Sequence, residues 1–151
     1  MKFQFWSIGK PNESHVSEGV ELFSKRIQAY YNLEWKIIAP PKNAGKLSET
    51  ENREKESELI LSLLKKDDYL VLLDERGKQL GSEELASFIM QRASESHKLI
   101  IFLIGGAYGV NKTLIERANY CWSLSKLVFP HQLVRLILAE QVYRACSINR
   151  N

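Results

Sequence analysis

The sequence predicts an α/β fold, a mostly parallel sheet with helices on both faces. Three observations carry this reading. Five apolar segments alternate with stretches of helical periodicity. Two of those segments, DYLVLLD (Asp68 to Asp74) and KLIIFLIG (Lys98 to Gly105), are nearly continuous apolar runs, which suits central parallel strands covered on both faces. Finally, 151 residues bury roughly 70% of their unfolded surface, enough for one compact core, so residues 1–151 read as a single domain.

Taken in order, KFQFWSI (Lys2 to Ile8) is aromatic-rich and stops at Gly9-Lys10-Pro11, as a first strand would. Val16, Val20, Phe23 and Ile27 then recur at helical spacing. LEWKIIA (Leu33 to Ala39) alternates Leu33, Trp35 and Ile37 against Glu34 and Lys36, a strand with one wetter face. PPKNAGKLSET reads as a loop, and the helix from about Glu51 carries an apolar stripe of Leu59, Ile60, Leu63 and Leu64. After the third strand, which ends at Asp74, Ser82 is placed to cap a helix whose Leu85, Phe88 and Ile89 face inward. Glu83 and Glu84 complement its positive end. Beyond the fourth strand and its glycines a helical pattern resumes, then CWSLS supplies a fifth short strand. The last helix runs from about His131 to Ile148.

Composition excludes several classes. With 44% hydrophobic and 26% charged residues and no repeat or low-complexity tract, the chain is neither disordered nor a repeat array. Cys121 and Cys146 have no CxxC spacing and no nearby histidine, so they read as small core residues of a reducing compartment, with no metal site implied. MKFQFWSIGKP fails the signal-peptide pattern, and no run reaches the ~18 apolar residues of a membrane helix; a cytoplasmic location is the expectation. A net charge of +3 permits a polyanionic partner without requiring one.

In open α/β sheets ligands bind outside the carboxyl ends of the strands. Three such ends stand out: LLDERGK (Leu72 to Lys78), IGGAYG (Ile104 to Gly109) and SLSKLVFPHQ (Ser123 to Gln132). Glycine at a strand end admits close approach to backbone groups, although the plain reading of any one such loop, and the favoured one for the glycine loop alone, is a tight turn. A Rossmann site is poorly supported, because GGxxG is not GxGxxG and follows the fourth strand. Lys112 also lacks the spacing of a Walker loop. What remains is a glycine-lined pocket for a ligand that need not carry phosphates.

LLDERGK, FLIGGAYG and SLSKLVFPHQLVRLILAEQVYRA, in this order and spacing, resemble the ribosomal RNA large subunit methyltransferase H family of small SPOUT-class methyltransferases. The resemblance runs from SIGK near the start to YRACSI near the end and is most specific in the C-terminal third. It implies an α/β fold with a C-terminal trefoil knot, an exception to the rule against threaded loops. It also implies a homodimer that binds S-adenosyl-L-methionine in the knot and methylates N3 of a pseudouridine in 23S (large-subunit) ribosomal RNA, on the ribosome. Carried onto matching positions, Leu73, Gly105, Leu124, Ser125, Lys126, Leu127, Val128 and Phe129 would line the cofactor pocket, with Gly106 and Gly109 shaping its loop.

A sulfonium is already an activated methyl donor, so the protein has mainly to align the acceptor nitrogen and exclude water. The N3–H must lose its proton, and no side chain is compelled to be the base. Glu140, His131 and Arg144 are weak catalytic candidates. Against them, Glu140 can pair with Arg135 or Arg144 or serve a dimer contact, and a histidine at a helix start is commonly structural. Arg135 and Arg144 are candidates for RNA phosphate or substrate contact, or for pairing with local carboxylates. The last helix is apolar nearly all round (Leu133, Val134, Leu136, Ile137, Leu138, Val142, Tyr143, Cys146), which points to a two-fold partner through that helix, or to a helix buried in a monomer.

Relatives in this family usually continue into a short tail with a Tyr-His pair, whereas this sequence stops at SINRN. The expectation is either a truncated sequence or a site completed differently, for instance with Arg150. The alternative to a methyltransferase is a dimeric module that binds adenosylmethionine or RNA without catalysis.

Overall fold

The apolar runs become strands because they bury both faces at once. In the computed structural model, which describes residues 1–150, β1 (Lys2–Ile8), β2 (Asn32–Ile38), β3 (Tyr69–Gln79), β4 (Leu99–Ile104) and β5 (Tyr120–Ser123) form one sheet in the order β2-β1-β4-β3-β5. Every neighbouring pair is parallel. The central position of β4 explains its composition: Ile100 to Ile104 are all buried. Edge strand β2 keeps alternate residues wet, as its alternating sequence predicts.

Helices α1 (Ser14–Gln28), α3 (Ser82–Ser94) and α5 (His131–Arg150) cover one face, and α2 (Glu49–Leu63) and α4 (Lys112–Arg117) the other. On the first face Phe102 is the hub, edge-on to Phe3, Phe5 and Trp122 at centroid distances of 5.8, 5.5 and 6.1 Å. Ile27, Leu85, Ile89, Leu138 and Val142 close over these rings. On the second face Trp6, Leu70, Leu72, Ile101 and Leu103 meet Ile60 of α2 and Leu114 of α4.

Four local readings need correction. The loop before α2 contains a short 3₁₀ turn (Ala44–Lys46), and α2 begins at Glu49, two residues early, because Ser48 and Glu51 form a capping box. Gly81, not Ser82, caps α3; its extended backbone N–H donates to the Glu84 side chain at 2.9 Å, leaving Ser82 as the first helical residue. The inward stripe of α2 is largely polar, with Asn52, Glu56, Ser57 and Ile60 buried, while Leu63 is 39% exposed. Fewer than two turns of α2 therefore reach the apolar cluster, and its first half packs on a loop.

The remaining difference is in β3, which does not stop at Asp74. Trp122 lies in register with both Leu73 and Lys78, so the segment from Asp74 to Gly77 bulges out of the ladder and the strand rejoins it. Gly77 makes this possible: a Cβ there would stand 2.6 Å from the Cys121 carbonyl carbon. Correspondingly β5 ends at Ser123, and Leu124 and Ser125, expected in the strand, belong to the loop after it.

Candidate functional site

Sheet order decides which loops meet. Because β3 lies between β4 and β5, with Leu73 opposite Ile104 and Trp122, the carboxyl ends of all three strands open on one side. A crevice of about 270 Å³ forms there, near the lower end of the ~300–1,000 Å³ typical of small-molecule sites. It is walled by Leu73 to Glu75, by Ile104 to Ala107 with Gly109 and Val110, and by Leu124, Ser125 and Leu127 to Phe129, with His131 and Val134 of α5 at its side.

The glycine loop is fixed from behind by α2. Arg53 Nε donates to the Tyr108 carbonyl at 2.9 Å, and Asn111 N–H donates to Ser57 Oγ at 2.9 Å. Asn111 also caps α4 by accepting from Leu114 N–H at 2.9 Å, and its amide donates to Glu54 Oε2 at 3.0 Å. Gly109 turns the chain at φ +80°, where its N–H donates to the Gly106 carbonyl, and a side chain would be strained. Gly106 presses on α2: a Cβ there would overlap the Glu56 carboxyl. The third loop is held by its own serines. Ser123 Oγ donates to the Ser125 carbonyl and Leu127 N–H donates to Ser125 Oγ, both at 3.0 Å.

Electrostatically the crevice is unlike a phosphate cradle. No lysine or arginine is among its lining residues; its charged groups are Asp74 and Glu75. Asp74 accepts from Nε and Nη2 of Arg76, each at 2.9 Å, and these bonds hold its carboxyl below the usual carboxylate range. Apolar walls, exposed main-chain groups and a mildly anionic rim suit an uncharged nucleoside that carries a cation. A triphosphate would find no lysine or arginine on these walls.

Most of the expected pocket residues come together here. Leu73, Gly105, Leu124, Ser125, Leu127, Val128 and Phe129 all line the crevice, and Gly106 and Gly109 shape the same loop. Lys126 sits in that run, but it is exposed and does not line the cavity. His131 does line it.

Arg135 is not on the surface at all. It is 1% exposed, bonded to Ser7, Lys10 and Asn12, and burial lowers its pKa, so it has no surface to offer a phosphate. Glu140 accepts from Arg144 Nη2 at 2.8 Å, one helical turn away. Nine residues beyond His131, Glu140 lies roughly 13 Å further along α5, and the pair borders a separate groove with Ser82 and Tyr143. Sequence reasoning missed the whole α2 contribution. Its one available signal was the four-residue spacing of Asn52, Glu56 and Ile60, which also fits a solvated face.

Among the described residues no group of three or more His, Cys, Asp or Glu side chains gathers as a metal site, and no helix is long and apolar enough to cross a membrane. The sequence profile of a family described as "Predicted SPOUT methyltransferase" matches residues 1–151. Three similar proteins bear the name "Ribosomal RNA large subunit methyltransferase H". That of Cytophaga hutchinsonii is 42% identical over 98% of this chain and 95% of its own length. Those of Christiangramia forsetii and Finegoldia magna are 40% and 39% identical over all of this chain and 96% and 97% of theirs.

Proposed function

The chain belongs to the SPOUT methyltransferase family, and from that premise we propose that it is an S-adenosylmethionine-dependent methyltransferase acting on N3 of a pseudouridine in large-subunit ribosomal RNA. The proposal includes one domain over residues 1–151, a C-terminal trefoil knot at the crevice, and a homodimer through α5. One observation carries it: three strand ends distant in sequence build a single crevice that has apolar walls, a glycine main chain on one side, and no lysine or arginine in its lining. Bound there, S-adenosylmethionine supplies an activated methyl group, so no covalent enzyme nucleophile is needed.

The residues at hand then divide the work. Leu73, Leu124 and Phe129 give the adenosine apolar surface, and the loop from Leu124 to Phe129, stiffened by Ser123 and Ser125, offers main-chain groups to the base. Gly105 and Gly106 leave room for close approach, and α2 keeps their loop from drifting. Lys126 contributes through its backbone only. Closure of the crevice excludes water while the acceptor N3 is aligned. Of the three weak catalytic candidates, His131 is the one that lines the crevice of its own protomer.

Leu127, Val128 and Leu133 are 71%, 81% and 38% exposed beside the crevice. A second copy packed on this edge of α5 would bury them, and would bring its own Glu140 and Arg144 into play. Incubation of purified protein with ribosomes and methyl-labelled cofactor tests the reading. Label in large-subunit RNA, at a pseudouridine N3 on nuclease digestion, is the expected result. Cofactor binding without any label in RNA would instead favour a non-catalytic binding module.

A further inference from the structure

Glu56 is the one carboxylate that the fold buries among the described residues, at 3% exposure, and its Oε1 has no hydrogen-bond partner. Two polar side chains near it on α2 bond to the glycine loop instead: Arg53 Nε donates to the Tyr108 carbonyl and Ser57 Oγ accepts from the Asn111 N–H. An unpartnered buried carboxyl is destabilising, so its retention calls for a use. Its position supplies one. Gly106 is both a wall of the crevice and the residue against which the carboxyl rests, because a Cβ there would overlap Oε1. Gly106 thus touches both the carboxyl and the cavity. The other two crevice carboxylates differ: Asp74 is bound bidentately by Arg76, and Glu75 is exposed to water, which screens it.

We propose that Glu56 is the charge-selecting residue of the crevice: acting across Gly106, its carboxylate favours a cationic adenosyl ligand over the neutral one that remains after the methyl group is lost. The inference rests on the reading of the crevice as an adenosyl cofactor site. It follows from Coulomb's law in a low-dielectric setting, where a buried carboxylate without a paired cation is weakly screened, so that a sulfonium in the crevice is attracted and a thioether gains nothing. Burial raises the pKa of Glu56, in keeping with a carboxyl that lacks a cation in the free protein. The consequence is directional. Donor binds, and product, stripped of its charge, is released.

Calorimetric titration of wild type and Glu56→Gln with S-adenosylmethionine and S-adenosylhomocysteine tests this. Glutamine keeps the shape behind Gly106 and removes the charge, so affinity for adenosylmethionine should fall about ten-fold while affinity for adenosylhomocysteine changes less than two-fold. Equal losses for both ligands would reduce Glu56 to a wedge, and no loss for either would remove it from the site; both outcomes overturn the inference. If neither ligand binds wild type, the cofactor reading itself fails and takes the inference with it. Glu56→Met guards against a folding defect. It discards an unpartnered buried carboxyl and should raise the unfolding midpoint while still lowering the adenosylmethionine preference. A Met variant that keeps the wild-type preference contradicts the assignment.

Discussion

Arg135 Nε donates to Ser7 Oγ at 2.8 Å across 128 residues of sequence, and Nη1 of the same guanidinium reaches the Lys10 carbonyl at 2.8 Å and Asn12 Oδ1 at 3.0 Å. One buried fork therefore bolts α5 to the end of β1. Removing it strands three acceptors and leaves a void, so Arg135→Met should cost about 2–4 kcal/mol in urea unfolding. Arg135→Lys should recover little of this, since a single ammonium cannot span the acceptors. A change within experimental error for either variant would refute the structural role.

Gly77 and Gly45 make opposite predictions for the same substitution. At Gly77 a Cβ would collide with the backbone of β5, 2.6 Å from the Cys121 carbonyl carbon, whereas at Gly45 nothing lies within 4 Å. Gly77→Ala should lower stability by about 2 kcal/mol or more and Gly45→Ala should change it by less than about 0.5 kcal/mol. Thermal unfolding of the two variants side by side checks this.

Arg144 is half exposed and pairs with Glu140 across one helical turn. Such pairs contribute little, so Arg144→Ala should shift stability by less than about 0.5 kcal/mol. Cofactor affinity should also hold, since the pair is remote from the crevice in its own protomer. Methylation of ribosomes should nevertheless drop. Parallel loss of cofactor affinity and methylation would indicate a folding defect instead.

Cys146 gives a pH signature. Burial pushes its thiol up from 9.0 to about 11. Below pH 9 the thiol is protonated whether the chain is folded or not; between 9 and 11 the unfolded chain loses the proton while the folded one keeps it. Its contribution is therefore complete well below pH 9 and declines as pH rises through 11, by at most about 2.7 kcal/mol in total. Wild type should lose more stability than Cys146→Ala between pH 8.5 and 10. Alkylation of Cys146 at pH 8 should be slow until denaturant is added; fast labelling of the folded chain would contradict its burial.

The strands were legible because burial on both faces demands unbroken apolar runs, and β3 and β4 have them. The three loops of the crevice were legible too: strand-end position pointed to the loops, and family likeness to Leu73, Gly105 and the run from Leu124 to Phe129, of which Lys126 alone does not line the cavity. Less could be read where polar residues face inward. Asn52 and Glu56 look like the wet side of α2; the turn before α2, whose carbonyls Asn52 bonds, and the glycine loop, against which Glu56 rests, reverse that side. The polar stretch Asp74 to Gly77 resembles a turn that ends a strand, because a bulge and a turn use the same residues; the pairing of Lys78 with Trp122 tells them apart. Arg135 in an apolar helix looks like a surface charge until the end of β1 supplies its acceptors.

The crevice as a cofactor site is tested most directly at Gly105, which lines the cavity beside Val110 and where a Cβ would stand 3.3 Å from Val110 Cγ1, so that a valine crowds this wall. Calorimetric titration with S-adenosylhomocysteine should give one site per chain in wild type. In Gly105→Val the binding heat should vanish while the chain stays folded and the oligomeric state stays that of wild type. Unchanged affinity in a folded Gly105→Val protein would contradict the account.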